Sequence, residues 1–236
     1  MTISLTTFQS TVDGIISASD NELSAVNRNS MVKAAVERYS HDLPDEITTD
    51  VTGDGGRYYG IAAKLTSWSE GFSQVVSIEY PAATIANDDS VTLLDPEDWD
   101  DDYWATAVRY LYLPNHAPAA TEAMRVRYTA PYAWTAGVVD IPPAHFYAVS
   151  LLAAGLTAQS IAQKYSRTSD STISVDSVDH LSRAQQWSER ARELIKAYRD
   201  ELNLGDEGMA TIPAGEFVDW DTSPSGNRRY LYHGDR

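Results

Sequence analysis

Apolar residues recur at helical spacing near the start of the chain. This pattern predicts a short amphipathic helix near residues 4 to 17 and a second helix near residues 20 to 40. Ser19 and Glu22 have the spacing of a capping box, which indicates where the second helix begins. Pro44 has no backbone N–H to donate, so the second helix ends before it.

Between about residues 45 and 132 the pattern changes from helical to alternating. Apolar residues occupy every second position, which is typical of an antiparallel sheet with one face on the core and one in water. Arg125 and Arg127 fall on the wet face, where such a pair more often neutralises acids across the sheet than binds an anion. The alternating sets are Val76, Ile78 and Tyr80; Val108, Tyr110 and Tyr112; and Met124, Val126 and Tyr128.

Gly53, Gly55 and Gly56 lie near the start of this alternating region. Glycine adopts positive φ without strain, so we interpret this stretch as a hairpin turn. A phosphate-binding loop is a poorer interpretation, because neither a lysine nor a hydroxyl residue follows in the required register.

Helical periodicity then returns over two long segments. The first, near residues 142 to 166, begins with two prolines and contains many small residues, including Gly155, that let another helix come close. The second, near residues 176 to 203, can be capped by Asp176 and has Gly205 beyond its end. We expect these two helices to pack against each other.

The pattern as a whole predicts an α+β fold, in which a bundle core of three to four helices carries an inserted antiparallel β domain. Residues 1–44 form the N-terminal helices of the core, and residues 45–138 form the inserted β-rich domain. Residues 139–204 form a long helical hairpin that completes the core, and residues 205–236 form an extended C-terminal arm.

The arm lacks a sustained period but is rich in large apolar side chains, which purely disordered tails rarely contain. An arm that becomes ordered on a neighbouring chain accounts for them, and an edge strand or a loose tail accounts for them equally well. The residues concerned are Phe217, Trp220, Tyr230, Leu231 and Tyr232.

The composition fits a soluble protein from a reducing compartment. The chain has no cysteine, which excludes disulfides, thiolate nucleophiles and cysteine-based zinc sites. Its first residues lack the basic start and apolar core of a secretion signal. The longest nearly apolar run, residues 144 to 158, is shorter than the roughly 18 residues of a membrane span, so we expect no membrane contact.

Most of the negative charge lies in one region. The net charge is −16, and residues 42 to 102 contribute −13 of it with 15 acids and two bases. Tight binding to nucleic acid depends on counterion release by Lys and Arg, so we expect no specific binding to DNA or RNA. The region ends in a stretch of eight residues with six carboxylates: Asp95, Glu97, Asp98, Asp100, Asp101 and Asp102.

This acidic stretch does not match a calcium loop of the EF-hand type. Counted from Asp98, Tyr103 occupies the glycine position and Arg109 occupies the final glutamate position. Close carboxylates repel one another unless they are hydrated or neutralised. We therefore expect a solvent-facing loop that Trp99 and Trp104 anchor to the sheet, with a dedicated cation site as the alternative.

The other candidate chemistry gives no site. The five histidines match no metal-ligand spacing, and His145 is better explained as a satisfied core or interface residue than as a ligand. The sequence has neither a nucleophile elbow nor a phosphate-binding loop, so we assign no catalytic residue, metal or cofactor. The 14 Tyr and 6 Trp favour either a protein interface or an unusually aromatic core.

The order of these pieces resembles the head-tail connector (adaptor) proteins of tailed bacteriophages, over about residues 20 to 204. A helix ending AAVERYSHDLP is followed by a β insertion that closes with MRVRYTAPY. Next come VDIPPAHFYAVSLLAAGLTAQSIAQKYS, a loop containing DSTISVDSVDH, and a helix ending ERARELIKAYRDELNL.

This resemblance implies a structural virion protein without enzymatic activity, made in the bacterial host cytoplasm. Such proteins form a ring, typically twelve-fold, beneath the portal at the capsid vertex. The ring extends the DNA channel and docks a neck or tail-completion protein. By the same resemblance the C-terminal arm binds the portal, and DNA passes through without specific binding.

Two questions stay open at this point. The acidic stretch either lines the channel, where it would repel phosphates, or faces outward and keeps the protomer soluble. The chain as a whole has an alternative interpretation as a calcium-dependent module that binds carbohydrate or protein through the acidic stretch and the aromatic sheet.

Overall fold

The computed structural model describes most of the chain. It covers residues 2–17, 23–82, 92–105, 108–135, 137–167 and 176–205. Over these residues the fold combines five α-helices with three small antiparallel sheets, which confirms the α+β class. All five residues assigned to the C-terminal arm lie outside the described part of the chain. None of the described helices is both long enough and apolar enough to cross a membrane.

The described elements follow the predicted change from helix to strand and back to helix. The helices are α1 (Leu5–Ile16), α2 (Ala25–Asp42), α3 (Ile61–Lys64), α4 (Phe146–Arg167) and α5 (Asp176–Glu201), and a 3₁₀ turn at Pro143–His145 precedes α4. The strands are β1 (Thr2–Ser4), β2 (Asp45–Thr52), β3 (Tyr58–Gly60), β4 (Val75–Glu79), β5 (Asp100–Ala105), β6 (Val108–Tyr112), β7 (Ala123–Ala130) and β8 (Val138–Asp140).

Both N-terminal helices begin at a serine cap. The Ser4 hydroxyl accepts a hydrogen bond from the Thr7 backbone N–H at the start of α1. At the start of α2 the Ser24 hydroxyl accepts from the Asn27 N–H. The capping box predicted for residues 19 and 22 lies outside the described residues, and α2 starts later than the apolar pattern indicated.

Helix α4 lies at the centre of the helical part and contacts α1, α2 and α5. Its middle is buried on all sides, from Ala148 to Gly155. The apolar faces of α1 and α2 pack into the same hydrophobic cluster, which also includes Leu194 and Tyr198 of α5. Segments from both ends of the described chain therefore share one core.

The predicted close contact of α4 and α5 is confirmed at Gly155. A Cβ added at Gly155 would lie 2.8 Å from the Cγ1 atom of Ile195 and 3.3 Å from the backbone oxygen of Ala191. Only glycine leaves room for this approach. Helix α5 ends at Glu201, Asn203 just beyond it has φ of 52°, and Gly205 lies past the end of the helix as predicted.

The strands form three sheets and not the single sheet that the alternation suggested. Strand β1 pairs with β8, the second sheet has the order β2-β7-β4, and the third has the order β3-β6-β5. The predicted inward set Met124, Val126 and Tyr128 is confirmed, because all three residues are buried in a second hydrophobic cluster formed by the β region.

Two of the alternating sets were assigned wrongly. Strand β4 has an irregular register between Val75 and Ser77, so Val75 and Ile78 are buried and Val76 is 45% exposed. In β6 it is Leu111 that faces the core, as does Leu113 just beyond the strand, and the set of Val108, Tyr110 and Tyr112 lies on the outer face.

The glycine-rich segment is a connection between two sheets, and the expected hairpin is wrong. Strand β2 pairs with β7, whereas β3 pairs with β6. Gly55 does adopt a positive φ, of 80°. Position 53 has no room for a side chain, because a Cβ there would lie 2.3 Å from the backbone oxygen of Pro118.

We predict that Gly155→Leu destabilises the protein by about 1 to 3 kcal/mol, because the larger side chain must push α5 away from α4. Gly14→Leu is the matched control, since Gly14 is a helical glycine with no atom within 4 Å of its Cβ position. The control should be neutral or slightly stabilising, because leucine favours helices more than glycine does. Urea denaturation checks both, and equal behaviour of the two variants would contradict the close contact.

Candidate interaction surface

The acidic stretch is partly a strand, so the expected solvent-facing loop is wrong for half of it. Asp100, Asp101 and Asp102 belong to β5, which pairs with β6. Asp95 and Glu97 are exposed in the turn that precedes the strand, and Asp98 is half-buried there. The six carboxylates therefore have different surroundings.

Arg109 on β6 neutralises part of this stretch. Its guanidinium lies 3.8 Å from Asp101, 3.7 Å from Asp102 and 3.2 Å from Glu70, and its Nε also donates to the Asp101 backbone oxygen. The guanidinium carbon is 5.0 Å from the centroid of the Trp68 ring, a cation–π distance. Sequence reasoning used Arg109 only to reject a calcium loop and missed this role.

Hydrogen bonds from the protein occupy other carboxylates of the stretch. The Val75 N–H donates to Asp101 over 3.0 Å, the Asp102 N–H donates to Asp100 over 2.9 Å, and Asn115 donates to Asp98 over 2.8 Å. Within the described ranges, no group of three or more acids and histidines is arranged to hold a metal ion.

The anchor expected for this stretch is present at Trp99, which packs partly buried against the β-region core. The side chain of Trp104 is not among the described ones.

The predicted role of the arginine pair on β7 is confirmed. Arg125 contacts Asp50 at 2.8 Å and Glu79 at 3.3 Å, and Arg127 pairs with Glu46. That face of the β2-β7-β4 sheet is therefore neutralised by ion pairs within the chain.

The outer face of the β3-β6-β5 sheet carries four tyrosines, which we call the tyrosine face: Tyr58, Tyr103, Tyr110 and Tyr112. The ring of Tyr58 stacks on Tyr112 with centroids 4.7 Å apart, and Tyr103 lies 5.1 Å from Tyr58 and 5.3 Å from Tyr112. Tyr58 is 46% exposed and Tyr103 is 37% exposed. The nearby Val108 is 42% exposed, so the surface is both aromatic and open to solvent.

Strand register produces this surface. Tyr58 and Asp100 both lie opposite Tyr112, and Tyr103 lies opposite Tyr110, which places these side chains on one side of the sheet. Desolvation and the neighbouring Tyr103 and Tyr112 raise the pKa of Tyr58, so its hydroxyl stays neutral. The sequence pattern grouped Tyr110 and Tyr112 with Val108 as the apolar side of their strand and did not place Tyr58 or Tyr103. The alternation of Tyr110 and Tyr112 with the more apolar Leu111 and Leu113 was the signal that could have found this face.

Two buried tyrosines of the helical core have side-chain partners inside the chain. The Tyr39 hydroxyl lies 2.6 Å from Nδ1 of His145, in accord with the prediction that this histidine is a satisfied core or interface residue. The Tyr198 hydroxyl donates to Asp42 over 2.7 Å, and burial is the main cause that raises the pKa of both tyrosines. These contacts connect α2 to the 3₁₀ turn before α4 and to α5.

Comparisons with known proteins add no identification. No protein-family profile matches this chain, and neither a curated protein nor a solved structure matches it.

We predict that Arg109→Ala destabilises the protein by about 2 kcal/mol, because it removes the ion pairs to Asp101 and Glu70 and the stacking on Trp68. Arg57→Ala is the control, since Arg57 is exposed in a connection, and it should change stability by less than about 0.5 kcal/mol. The measurement is urea denaturation at neutral pH. An Arg109 variant as stable as the control would show that the acids need no neutralisation.

Proposed function

We propose that this chain is a structural virion protein, a head-tail connector that forms a ring beneath the portal. One observation carries the proposal. Helices from both ends of the described chain pack around α4 in one helical unit, and residues 45 to 130 are inserted between them. In this proposal α1, α2, α4 and α5 form the helical bundle that is the core of the protomer.

The state of the acidic groups supports a structural role over a catalytic one. Asp98, Asp100 and Asp101 accept hydrogen bonds from the chain, and Arg109 neutralises part of the cluster. A catalytic carboxylate needs a sheltered place beside a reacting group, and a calcium site needs several oxygens aimed at one point. The same contacts therefore also weaken the interpretation as a calcium-dependent module.

The proposed ring has the portal above it and a neck or tail-completion protein below it, and it is twelve-fold if it follows the usual portal symmetry. DNA passes through the channel without specific binding. The exposed acids Asp95 and Glu97 fit either the channel rim, where they repel phosphates, or the outer wall of the ring. The C-terminal arm contacts the portal through Phe217, Trp220, Tyr230, Leu231 and Tyr232.

We predict that deletion of residues 209 to 236 leaves a folded protomer and weakens binding to the portal of the same virion by at least about tenfold. The aromatic residues of the arm would otherwise bury apolar area on the portal. Circular dichroism and thermal unfolding check the fold, and surface-immobilised portal measures the affinity.

A full-length variant with Phe217→Ser and Trp220→Ser separates the aromatic contacts from the length of the arm. Equal portal binding by the truncated and intact chains would contradict the role of the arm. Failure of the intact chain to bind the portal at all would contradict the proposed function itself.

A further inference from the structure

The tyrosine face has the chemistry of a surface that binds cations. Its four rings present negatively polarised π faces, and Asp100 lies opposite Tyr112 on the same side of the sheet. A partner for this face therefore carries Arg or Lys together with some apolar area.

A surface of this kind exists elsewhere on the same chain, on helix α5. Residues 183 to 199 hold five bases and two acids in a chain whose net charge is −16. Arg192 and Lys196, four residues apart, are exposed on one face, and Arg199 continues it one turn later. These three residues line a shallow groove with Ile195, Asp200 and Leu204, and we call Arg192, Lys196 and Arg199 the basic stripe.

Within the described part of one copy neither surface is covered, since Tyr58, Tyr103, Arg192 and Lys196 are all exposed there. Two different and complementary surfaces on one chain are what a heterologous contact requires, and such contacts close into rings when the rotation permits. We propose that the tyrosine face of one copy binds the basic stripe of the adjacent copy. This inference rests on the proposed function and names the contact that builds the ring.

The side chains of the two surfaces are chemically complementary. Arginine and lysine stack on tyrosine rings, Asp100 supplies an ion pair, and Val108 offers apolar area beside the rings. The chain already uses this combination internally, where Arg109 contacts both the Trp68 ring and neighbouring carboxylates. Opposite charges at a contact between copies also fix which surface meets which.

The experiment reverses the charge of each surface separately. One variant carries Arg192→Asp and Lys196→Asp, and the other carries Asp100→Lys and Tyr103→Lys. Mass photometry measures the concentration at which half of the chains are assembled, with and without the portal protein, and circular dichroism checks each fold. Each variant should raise this concentration at least about a hundredfold, because like charges would then face each other.

The matched controls change the same kinds of residue at other exposed positions. Lys33→Asp with Lys64→Asp imposes the same charge change as the variant of the basic stripe, and Glu37→Lys with Tyr147→Lys imposes that of the variant of the tyrosine face. Both controls should assemble within about threefold of the unmodified chain.

Mixing the two reversed variants in equal amounts gives the sharpest result. An unmodified tyrosine face can then meet an unmodified basic stripe, and the two reversed surfaces can meet each other. Assembly should return in the mixture, with rings of alternating variants. Loss in each variant alone and rescue in the mixture together identify the pair of surfaces.

Three outcomes overturn the proposal. Reversed variants that assemble as readily as the controls, or a mixture that does not recover, would exclude this pair while leaving the connector function standing. Loss of assembly only on deletion of residues 209 to 236 would identify the arm, with its Arg228 and Arg229, as the occupant of the tyrosine face. An unmodified chain that stays monomeric even with the portal would contradict both the contact and the proposed function.

Discussion

The burial of α4 on all sides is the constraint on which the rest of the structure depends. A helix surrounded in this way needs neighbours on every face, and α1, α2 and α5 supply them. The contact with α5 is close enough that Gly155 admits no side chain. These neighbours come from both ends of the described chain, and the strands from β2 to β7 between them have their own hydrophobic core.

The two three-stranded sheets differ in the chemistry of their outer faces. On the β2-β7-β4 sheet, Arg125 and Arg127 pair with acids of neighbouring strands, so that the polar face needs no partner. On the β3-β6-β5 sheet the outer face presents stacked tyrosines to solvent beside exposed acids. Exposed aromatic surfaces on a folded chain are characteristic of interfaces, and we propose this face as a contact between copies.

The local pattern of the sequence was sufficient for some features and insufficient for others. Helical spacing, the small residue at Gly155 and the arginine pair on β7 were predicted because each depends on near neighbours or on simple alternation. Val76 was placed wrongly because a bulge shifts the register of β4, and bulges follow from strand pairing. The pairing of β3 with β6 and the contacts of Arg109 with Trp68 and Glu70 join residues that are far apart in the sequence, which local periodicity does not encode.

In the proposed function the chain is a subunit that is completed by contact with its own copies and with the portal. Electron microscopy of the unmodified chain mixed with portal protein tests this most directly, because it shows both the number of copies and their arrangement. The account predicts a closed ring stacked coaxially on the portal, with a central opening wide enough for duplex DNA. Single copies that never associate with the portal, or open chains of copies without closure, would contradict it.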